Sequence, residues 1–514
     1  MVFATVNSPP PLKTMTSLRR VNQPWIPHFL SRRAALLIAV MIPAWAAGGG
    51  ASASEQPAPD WWREPAAKMT PPAPVIVPPP EPHFDPRAYG AKADGITYDT
   101  ASLQKAIDAC GRTGGSVVLS HGKYLSAQLT LRGRMTFYVE KGAVLLGGTN
   151  AADYPVLIPD NTPAKAIRRS MLYAVKADGL VIDGEGEING QCKLVQMFGK
   201  EPDRPSLIRI FQSKNVIVRN ITLRNPRMWT QVYSGCENLL IDHVTVIAPP
   251  DAANLDGMDI CDSRDVIIRD CNVESEDDCI CLKSHGSAGL QNITVENNRI
   301  LSSHANGIKL GTATVGPISH IVIRNNTVLF AKFGGLCIES VDGAAVSDFV
   351  VNGLDLYRTS QPIFVRLAQR GANNPTGDLA AASRPAGSII NVVIERVRAL
   401  GTHNATHASC TITGIPGARV SNVRLKDCYI EMPGGIATDP AMPPEKEGGY
   451  PQSNMFGDTP AYGFFVRHAD GIEFDNVTAG YLKPDVRPWL VKDDAEVKTA
   501  DSKALGLIPA TRIP

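Results

Sequence analysis

A short segment of one pattern recurs along the chain and limits what it can fold into. Each copy begins with Asn, Asp or His, continues with apolar residues at alternate positions, and ends in a polar residue or glycine. Most copies start about 23 to 31 positions after the previous one, which is the length of one coil in a repetitive β-structure. The copies lie at 215–220, 238–243, 265–270, 292–297, 320–325, 348–353, 391–396 and 422–427.

This repeat predicts an all-β fold, a right-handed parallel β-helix. A strand of this length cannot bury its apolar face alone, whereas stacked coils form a continuous interior. The pattern is too regular for a jelly roll, and no helices of the βαβ type lie between the strands. Helical spacing of apolar residues over 100–110 predicts a single helix, which we expect to cap the N-terminal open end of the coil.

The first part of the chain has the pattern of an export signal. Ser31-Arg32-Arg33 precedes an apolar run that reaches Trp45, and Ala51-Ser52-Ala53 is suited to cleavage. The paired arginines resemble a twin-arginine signal, with an ordinary secretory signal or a signal anchor as alternatives. We expect the mature protein in the periplasm or outside the cell, without stable membrane insertion once the signal is removed.

Composition divides the chain into four parts. We predict a signal peptide over 1–53, a Pro-rich linker over 54–82, the β-helix over 83–495 and a C-terminal tail over 496–514. Two Pro- and Gly-rich insertions, at about 371–388 and 432–466, interrupt the late coils and are expected to wall a groove.

Charge and cysteine content exclude several classes of partner. A formal net charge of +1 gives no indication of nucleic-acid binding, and we expect a monomer. Ten cysteines in 514 residues are too few for a disulfide scaffold, and most should be buried thiols, with one or two disulfides left open for an exported protein. Metal-ligand spacing is absent, so no metal or cofactor is predicted.

Three acidic residues indicate the chemistry. Asp256 precedes the pair Asp277 and Asp278 by about one coil, which makes the three carboxylates neighbours in a β-helix. Cleavage of a glycosidic bond needs one protonated carboxyl and one ionised carboxylate on a single open face. Closely packed like charges push their pKa values apart and provide this division.

These motifs resemble glycoside hydrolase family 28, the polygalacturonase-like, pectin-degrading hydrolases. The resemblance rests on Asn254-Leu255-Asp256 followed by Asp277-Asp278, and it extends over about residues 83–495. Segments 225–229, 362–366 and 450–467 also resemble members of the family, the last two its bacterial members. The resemblance implies a pectin-lyase-like solenoid, with Asp277 as the general acid and Asp256 and Asp278 holding a water that attacks with inversion.

Two family motifs differ in this chain. Where polygalacturonases carry Gly-His-Gly, Asn306 occupies the histidine position, and His304 is a possible substitute. Where the family has Arg-Ile-Lys for gripping a galacturonate carboxylate, this chain has Cys337-Ile338-Glu339, and Lys309 could pair with Glu339 across adjacent coils. The expected substrate-binding residues are Asn254, Lys283, His304, Asn306, Lys309, Trp229 and Arg366, with Arg370 as a further candidate and core packing as the alternative for Trp229.

The leading functional hypothesis is therefore an exported, inverting hydrolase of pectin-type polysaccharide. Because this chain lacks the Arg and Lys of the family's Arg-Ile-Lys motif, a rhamnogalacturonan linkage is a serious alternative. Closure of the groove by the late loops would favour an exo-galacturonidase. The expected partner is an acidic or rhamnose-containing plant cell-wall polysaccharide or oligosaccharide. A β-helical polysaccharide lyase and a non-catalytic carbohydrate-binding β-helix are the competing classes.

Overall fold

The computed structural model describes residues 71–157, 169–192, 204–371, 384–403, 406–511 and 513. The predicted signal peptide and the first part of the linker lie outside these ranges. The described end of the linker, residues 71–80, contains no helix or strand. Within the described ranges, no helix has the length and apolar content needed to cross a membrane.

Thirty-two strands lie in the described ranges, and their ladders are parallel. The first strands are β1 (His83–Phe84), β2 (Asp94–Tyr98), β3 (Ser116–Leu119), β4 (Gly122–Ser126), β5 (Leu129–Thr130), β6 (Thr136–Val139), β7 (Ala143–Gly147), β8 (Ser170–Val175), β9 (Val181–Asp183) and β10 (Glu187–Asn189). The central strands are β11 (Ser206–Phe211), β12 (Lys214–Arg219), β13 (Thr222–Arg224), β14 (Gln231–Ser234), β15 (Glu237–Asp242), β16 (Thr245–Ile247), β17 (Met258–Cys261), β18 (Arg264–Arg269), β19 (Asn272–Ser275), β20 (Ile280–Ser284), β21 (Leu290–Glu296) and β22 (Arg299–Ser302). The last strands are β23 (Ile308–Thr314), β24 (Ile318–Ser340), β25 (Ala345–Tyr357), β26 (Thr359–Leu367), β27 (Ser388–Leu400), β28 (Cys410–Thr413), β29 (Val420–Gly434), β30 (Phe464–Lys483), β31 (Leu490–Ala500) and β32 (Lys503–Leu507).

The sequence repeat corresponds to one continuous column of the core. The second residue of each repeat pairs with the second residue of the next coil, and all of these side chains are buried. The column runs Val216, Leu239, Val266, Ile293, Ile321, Phe349, Val392, Val423 and Ile472. The predicted parallel β-helix is confirmed in this all-β arrangement.

Left-handed backbone at the ends of each repeat explains its polar residues. Asn215 has φ 56° and Asn220, at the other end of the first repeat, has φ 61°. Asparagine and aspartate tolerate this conformation better than other residues with a Cβ. Side-chain amides also bond between coils, as where Nδ2 of Asn238 donates to Oδ1 of Asn215 at 2.7 Å. The polar residues therefore set the bends between strands.

One helix, α1 (Thr100–Thr113), lies in the chain between β2 and β3. Leu103, Ala106, Ile107 and Cys110 form its buried face, which packs against the first strands. Its position agrees with the helix expected at 100–110, and its capping role stays a prediction. Two short 3-10 helices, Pro86–Tyr89 and Ala151–Asp153, complete the helical content of the described ranges.

The parallel ladder continues beyond position 495, where the sequence prediction placed the start of a tail. Strand β31 pairs with β30 from Leu490 onward, and β32 also pairs with β30. The side chains of β31 are mostly exposed or half-buried, so this strand lacks the apolar template that marks the inner coils. All ten cysteines lie in the described ranges, where they form no disulfide, and nine of them are buried.

Candidate active site

Two neighbouring strands bring the acidic segments together. Asp256 lies just before β17 and Asp278 lies just before β20, and these strands pair with Met258 opposite Ile280. The backbone N–H of Gly257 donates to the carbonyl oxygen of Asp278 at 2.9 Å. A Cβ at Gly257 would lie 2.5 Å from the carbonyl oxygen of Cys279, so the two coils approach this closely only because the residue is glycine.

The three predicted acids form one cluster. One carboxylate oxygen each from Asp256, Asp277 and Asp278 lies within 4.8 Å of the others. Asp256 and Asp278 are buried, and Asp277 is partly exposed. The expectation that acids one coil apart would be neighbours in space is confirmed, while their catalytic roles are not tested by this geometry alone.

Asp278 is held in its ionised form. Its Oδ1 accepts hydrogen bonds from the backbone N–H of Asn306 at 3.1 Å and from the side-chain Nδ2 of the same residue at 2.6 Å. Its Oδ2 lies 3.2 Å from Nζ of Lys309. Burial alone would raise the pKa of Asp278, but Lys309, Lys283 and these hydrogen bonds lower it below its ordinary value.

The neighbouring Asp277 has the opposite tendency. Burial, followed by the negative charge of Asp278, raises the pKa of Asp277 above its ordinary value. Its Oδ1 accepts a hydrogen bond from the backbone N–H of Asp278 at 2.8 Å. The pKa values of two carboxyls adjacent in sequence are therefore shifted in opposite directions, as acid–base cleavage requires.

Lys283 connects two further carboxylates. Its Nζ lies 3.2 Å from Oδ2 of Asp256 and also contacts Oδ1 of Asp259. Burial, opposed by Lys283, raises the pKa of Asp256 well above its ordinary value and the pKa of Asp259 to about 6. Lys283 is therefore an internal counter-ion of the cluster, rather than a cation left available for substrate.

The same lysine covers one face of Trp229. Nζ of Lys283 lies 3.5 Å from the centre of the indole ring. Trp229 is half-buried and packs against Met228, Val232 and Cys261. This packing favours a role for Trp229 in core packing over one in substrate binding, since a cation already occupies one face of its ring.

Asn254 lies in a left-handed bend at the edge of the cluster. Its backbone φ is 57°, and its Oδ1 accepts a hydrogen bond from Nη2 of Arg204 at 2.9 Å. Nη1 of Arg204 donates to the carbonyl oxygen of Ala253 at 2.6 Å. Arg204 is a buried cation that the sequence did not single out, because it belongs to no repeat and lies about fifty residues from its partners.

The side chains of Asn306 and His304 have different surroundings. Asn306 is buried against Asp278, and its Oδ1 accepts from the backbone N–H of Gly334 at 2.8 Å. His304 is partly exposed, with Nδ1 3.8 Å from Oε1 of Glu276 and 3.2 Å from Nζ of Lys332. Asn306 therefore orients the acid cluster from within, and His304 lies at its rim.

The expected Lys309–Glu339 pair does not form. Register places Lys309 opposite Cys337, and its ammonium group extends to Asp278 on the preceding coil. Both carboxylate oxygens of Glu339 are buried and have no hydrogen-bond partner among the described residues. Burial, opposed by Lys309, raises the pKa of Glu339 to about 8. The side chain is therefore a neutral carboxylic acid at pH values below about 8.

Two arginines expected to contact substrate are bonded within the protein. Arg366 is fully buried and donates to the carbonyl oxygens of Gly414 at 2.9 Å and Glu445 at 2.8 Å. Nε of Arg370 donates to Oδ1 of Asp342 at 2.9 Å. Arg366 fastens the loop 435–463 to the coil, and its contact with substrate stays a prediction.

Three residues near the cluster were not among the predicted site residues. Asp259 alternates along β17 with the core residues Met258 and Ile260, so alternation could have placed its side chain outside the core. There it contacts Nζ of Lys283. Tyr450, in the loop 435–463, places its ring 5.5 Å from Nζ of Lys309, and Thr312 donates to its hydroxyl at 2.9 Å. His285 is buried near Lys283, and its ring nitrogens have no hydrogen-bond partner in the described ranges.

Curated relatives share part of this chain. A probable polygalacturonase from Vitis vinifera is 28% identical over 293 residues, which is 52% of this chain and 59% of that protein. An endo-polygalacturonase from Pectobacterium carotovorum subsp. carotovorum is 28% identical over 294 residues, which is 51% of this chain and 69% of that protein. The chain thus spans well under the full length of the relatives it matches.

Solved structures show the same fold. The exopolygalacturonase from Thermotoga maritima superposes with a TM-score of 0.57 at 18% identity, over 71% of this chain and 89% of that chain. The family 28 exopolygalacturonase of Yersinia enterocolitica gives a TM-score of 0.60 at 16% identity, over 84% of this chain and 79% of that chain. The sequence-family model of glycosyl hydrolases family 28 matches residues 111–442, which is more than half of the sequence. The chain belongs to glycosyl hydrolases family 28.

Proposed function

We propose that the protein is a glycoside hydrolase that cleaves pectin-type polysaccharide. The observation that carries this proposal is the cluster of three carboxyls at Asp256, Asp277 and Asp278. The surroundings of Asp277 and Asp278 shift their pKa values in opposite directions. A protonated acid and an ionised base in one cluster are the requirement for hydrolysis of a glycosidic bond. The family membership of the chain supports the same reaction class.

In the proposed mechanism, Asp277 donates its proton to the glycosidic oxygen as the bond to the anomeric carbon breaks. Asp278 accepts a proton from the attacking water, whose oxygen forms the new bond. Asp256 assists by binding that water, since its Oδ1 is buried and has no hydrogen-bond partner among the described residues. Lys283 and Lys309 offset the charge of the cluster and keep the base ionised.

We further propose inversion at the anomeric carbon, as the family resemblance implies. The nearest carboxylate oxygens lie within 4.8 Å, which is shorter than the ~6.5–9.5 Å separation usual for inverting pairs. The water would therefore bind against Asp256 and Asp278 on one side of the cluster, and not between a widely separated pair. The stereochemistry of the product tests this assignment directly.

Polygalacturonan is the leading substrate, because the curated relatives include polygalacturonases from plants and bacteria. A rhamnogalacturonan linkage is the second candidate, and Glu339 is the observation that favours it. A buried carboxyl with a pKa of about 8 stands where the family resemblance places a cation for galacturonate. A neutral carboxyl at this position supplies no positive charge for a uronate carboxylate, whereas a neutral sugar needs none.

The loop 435–463 supports action at a chain end. Arg366 fastens its backbone at Glu445, and Tyr450 reaches Thr312 on the groove floor. A loop held in this way would close the groove beyond Lys309 and favour exo cleavage. We also propose that the protein is exported as a monomer and acts in the periplasm or outside the cell, on the basis of its signal-like N-terminus.

Product analysis of the purified protein tests these proposals together. Polygalacturonan and rhamnogalacturonan are offered separately, with Asp277→Asn as the matched control in which the general acid is lost. We expect new reducing ends from one substrate, a loss of about 10²–10⁴-fold in the variant, and an unchanged fold by circular dichroism. Unsaturated products absorbing in the ultraviolet would instead establish a lyase, and equal behaviour of variant and wild type would establish a non-catalytic protein.

A further inference from the structure

A second row of polar side chains runs beside the acid cluster across successive coils. Glu276, which immediately precedes Asp277, lies 3.8 Å from Nδ1 of His304, and this nitrogen lies 3.2 Å from Nζ of Lys332. The hydroxyl of Ser360 then donates to the carbonyl oxygen of Lys332 at 2.6 Å. The four residues Glu276, His304, Lys332 and Ser360 are 28 positions apart, one per coil, and form what we call the rim row.

The cations of the groove floor are already neutralised or bonded. Lys283 is paired with Asp256 and Asp259, and Lys309 is paired with Asp278. Arg366 and Arg370, as described above, are likewise bonded within the protein. A uronate carboxylate arriving at this floor would have to compete with buried internal partners for these cations.

The rim row differs because its nitrogen donors face solvent. Lys332 is exposed and forms no ion pair within the described ranges, and the side chain of His304 is 54% exposed. Nζ of Lys332 lies 3.2 Å from Nδ1 of His304, and because an ammonium group can only donate, this contact makes Nδ1 the acceptor and Nε2 the donor of the ring. Both side chains therefore keep N–H groups that could donate hydrogen bonds to a carboxylate.

An aromatic ring lies beside these two groups. Phe333 is half-buried, with its ring centre 5.8 Å from Nζ of Lys332 and 6.0 Å from the imidazole centre of His304. Two N–H donors beside an apolar ring match a sugar that has a carboxylate at one edge and C–H bonds on one face. A neutral hexose or deoxyhexose would leave the charge of Lys332 without a partner.

We propose that Lys332 and His304 bind the carboxylate of a uronate unit lying beside Asp277. This inference rests on the proposed glycoside hydrolase function, and it assigns recognition of the acidic sugar to the rim row instead of the groove floor. A uronate unit is common to polygalacturonan and rhamnogalacturonan, so the assignment holds for both candidate substrates.

Kinetics on matched substrates test the assignment. Polygalacturonate carries ionised carboxylates, and its fully methyl-esterified form carries neutral methyl esters at the same positions, so the comparison tests the predicted contact. We expect Lys332→Met to raise KM for polygalacturonate about tenfold with kcat within about twofold, and His304→Gln to raise it by a smaller factor. The KM for the esterified polymer should not change, and neither should any constant in the control Lys498→Met, an exposed lysine on β31.

Calorimetric binding separates failure of this assignment from failure of the hydrolase function. Trigalacturonate is titrated into the Asp277→Asn variant and into the double variant that carries both Asp277→Asn and Lys332→Met. The measurement requires no catalysis by either variant. A Kd about tenfold weaker in the double variant supports the carboxylate site even if the wild-type protein cleaves neither polymer. Equal Kd values, or equal changes in KM for the charged and the esterified polymer, overturn the assignment even if hydrolysis is established.

Discussion

Asn306 donates two hydrogen bonds to the same carboxylate oxygen of Asp278, one from its backbone N–H at 3.1 Å and one from its side-chain amide at 2.6 Å. Both bonds stabilise the ionised form of Asp278. A residue that departs from the family pattern thus has a clear physical effect on the proposed base, through its amide and without any charge.

Removing this amide should move the pH profile. Asn306→Ala deletes one donor to the ionised carboxylate, so the pKa of Asp278 rises toward its ordinary value. Because the base must be ionised to act, the acidic limb of kcat/KM should move to higher pH. Asn298→Ala, which removes another buried asparagine that bonds between coils, is the control for general destabilisation. An acidic limb that stays in place or moves to lower pH would contradict the role of Asn306.

Lys283 should matter for stability as well as for the site. Lys283→Met leaves two buried carboxyls, Asp256 and Asp259, without their shared cation, and we expect a loss of about 3–5 kcal/mol in the free energy of unfolding. Their pKa values, already raised by burial, rise further in the variant. Because these pKa values are higher in the folded protein than in the unfolded chain, the stability of the folded state is greatest at low pH. It falls as the pH rises through the folded pKa values of Asp256 and Asp259.

Urea unfolding of Lys283→Met at pH 4 and pH 8 measures this effect. The difference from wild type should be larger at pH 8. Lys214→Met removes a lysine whose ion pair with Glu237 is largely exposed, so it should change stability by less than about 1 kcal/mol at either pH. A deficit in Lys283→Met that is equal at both pH values would show that packing alone explains the loss.

Arg366 should control the order of the loop 435–463. Arg366→Met removes the hydrogen bonds to the carbonyl oxygens of Glu445 and Gly414. We expect faster hydrogen exchange in the loop by at least about tenfold, with little change in the core column. The exposed Arg396, which bonds to the side chain of Asn352 at 2.7 Å, gives a matched Arg→Met control. Unchanged exchange in the loop would mean that other contacts hold it.

The anomeric form of the first product tests the proposed inversion. Proton magnetic resonance recorded within the first minutes should show the anomer opposite to that of the cleaved linkage. The short separation of the carboxylate oxygens, within 4.8 Å, makes this a demanding test, because such distances are closer to those of retaining enzymes, about 5–5.5 Å. A retained anomer would assign one of the three acids as a nucleophile.

Much of the fold was predictable because the repeat encodes both the strand and its bends. Val216 and Ile472, at the two ends of the core column, occupy the same place in their segments. Strand β31 was missed because its side chains are mostly exposed, so alternation of apolar residues is absent where the strand has no interior to fill. Its pairing comes from the exposed edge of β30, which a local pattern does not reveal.

The acids of the site were predictable from one coil of spacing, but their partners were not. Lysine side chains are long enough to choose between carboxylates on either neighbouring coil, and Lys309 extends to Asp278 instead of Glu339. Arg366 looked available because the carbonyl oxygens that bind it belong to a loop nearly eighty residues away. Charge identity can be read from a sequence, whereas the pairing of charges depends on side-chain reach and loop placement.

The core column has a consequence for how the molecule comes apart. Each coil contacts mainly the coil before it and the coil after it, so opening should start at the ends and advance inward one coil at a time. The coils of Asp256 and Asp278 have others stacked on both sides. Heating should therefore fray β31 and β32 while these acids are still aligned, and the protein should lose its last coils well before it loses its chemistry.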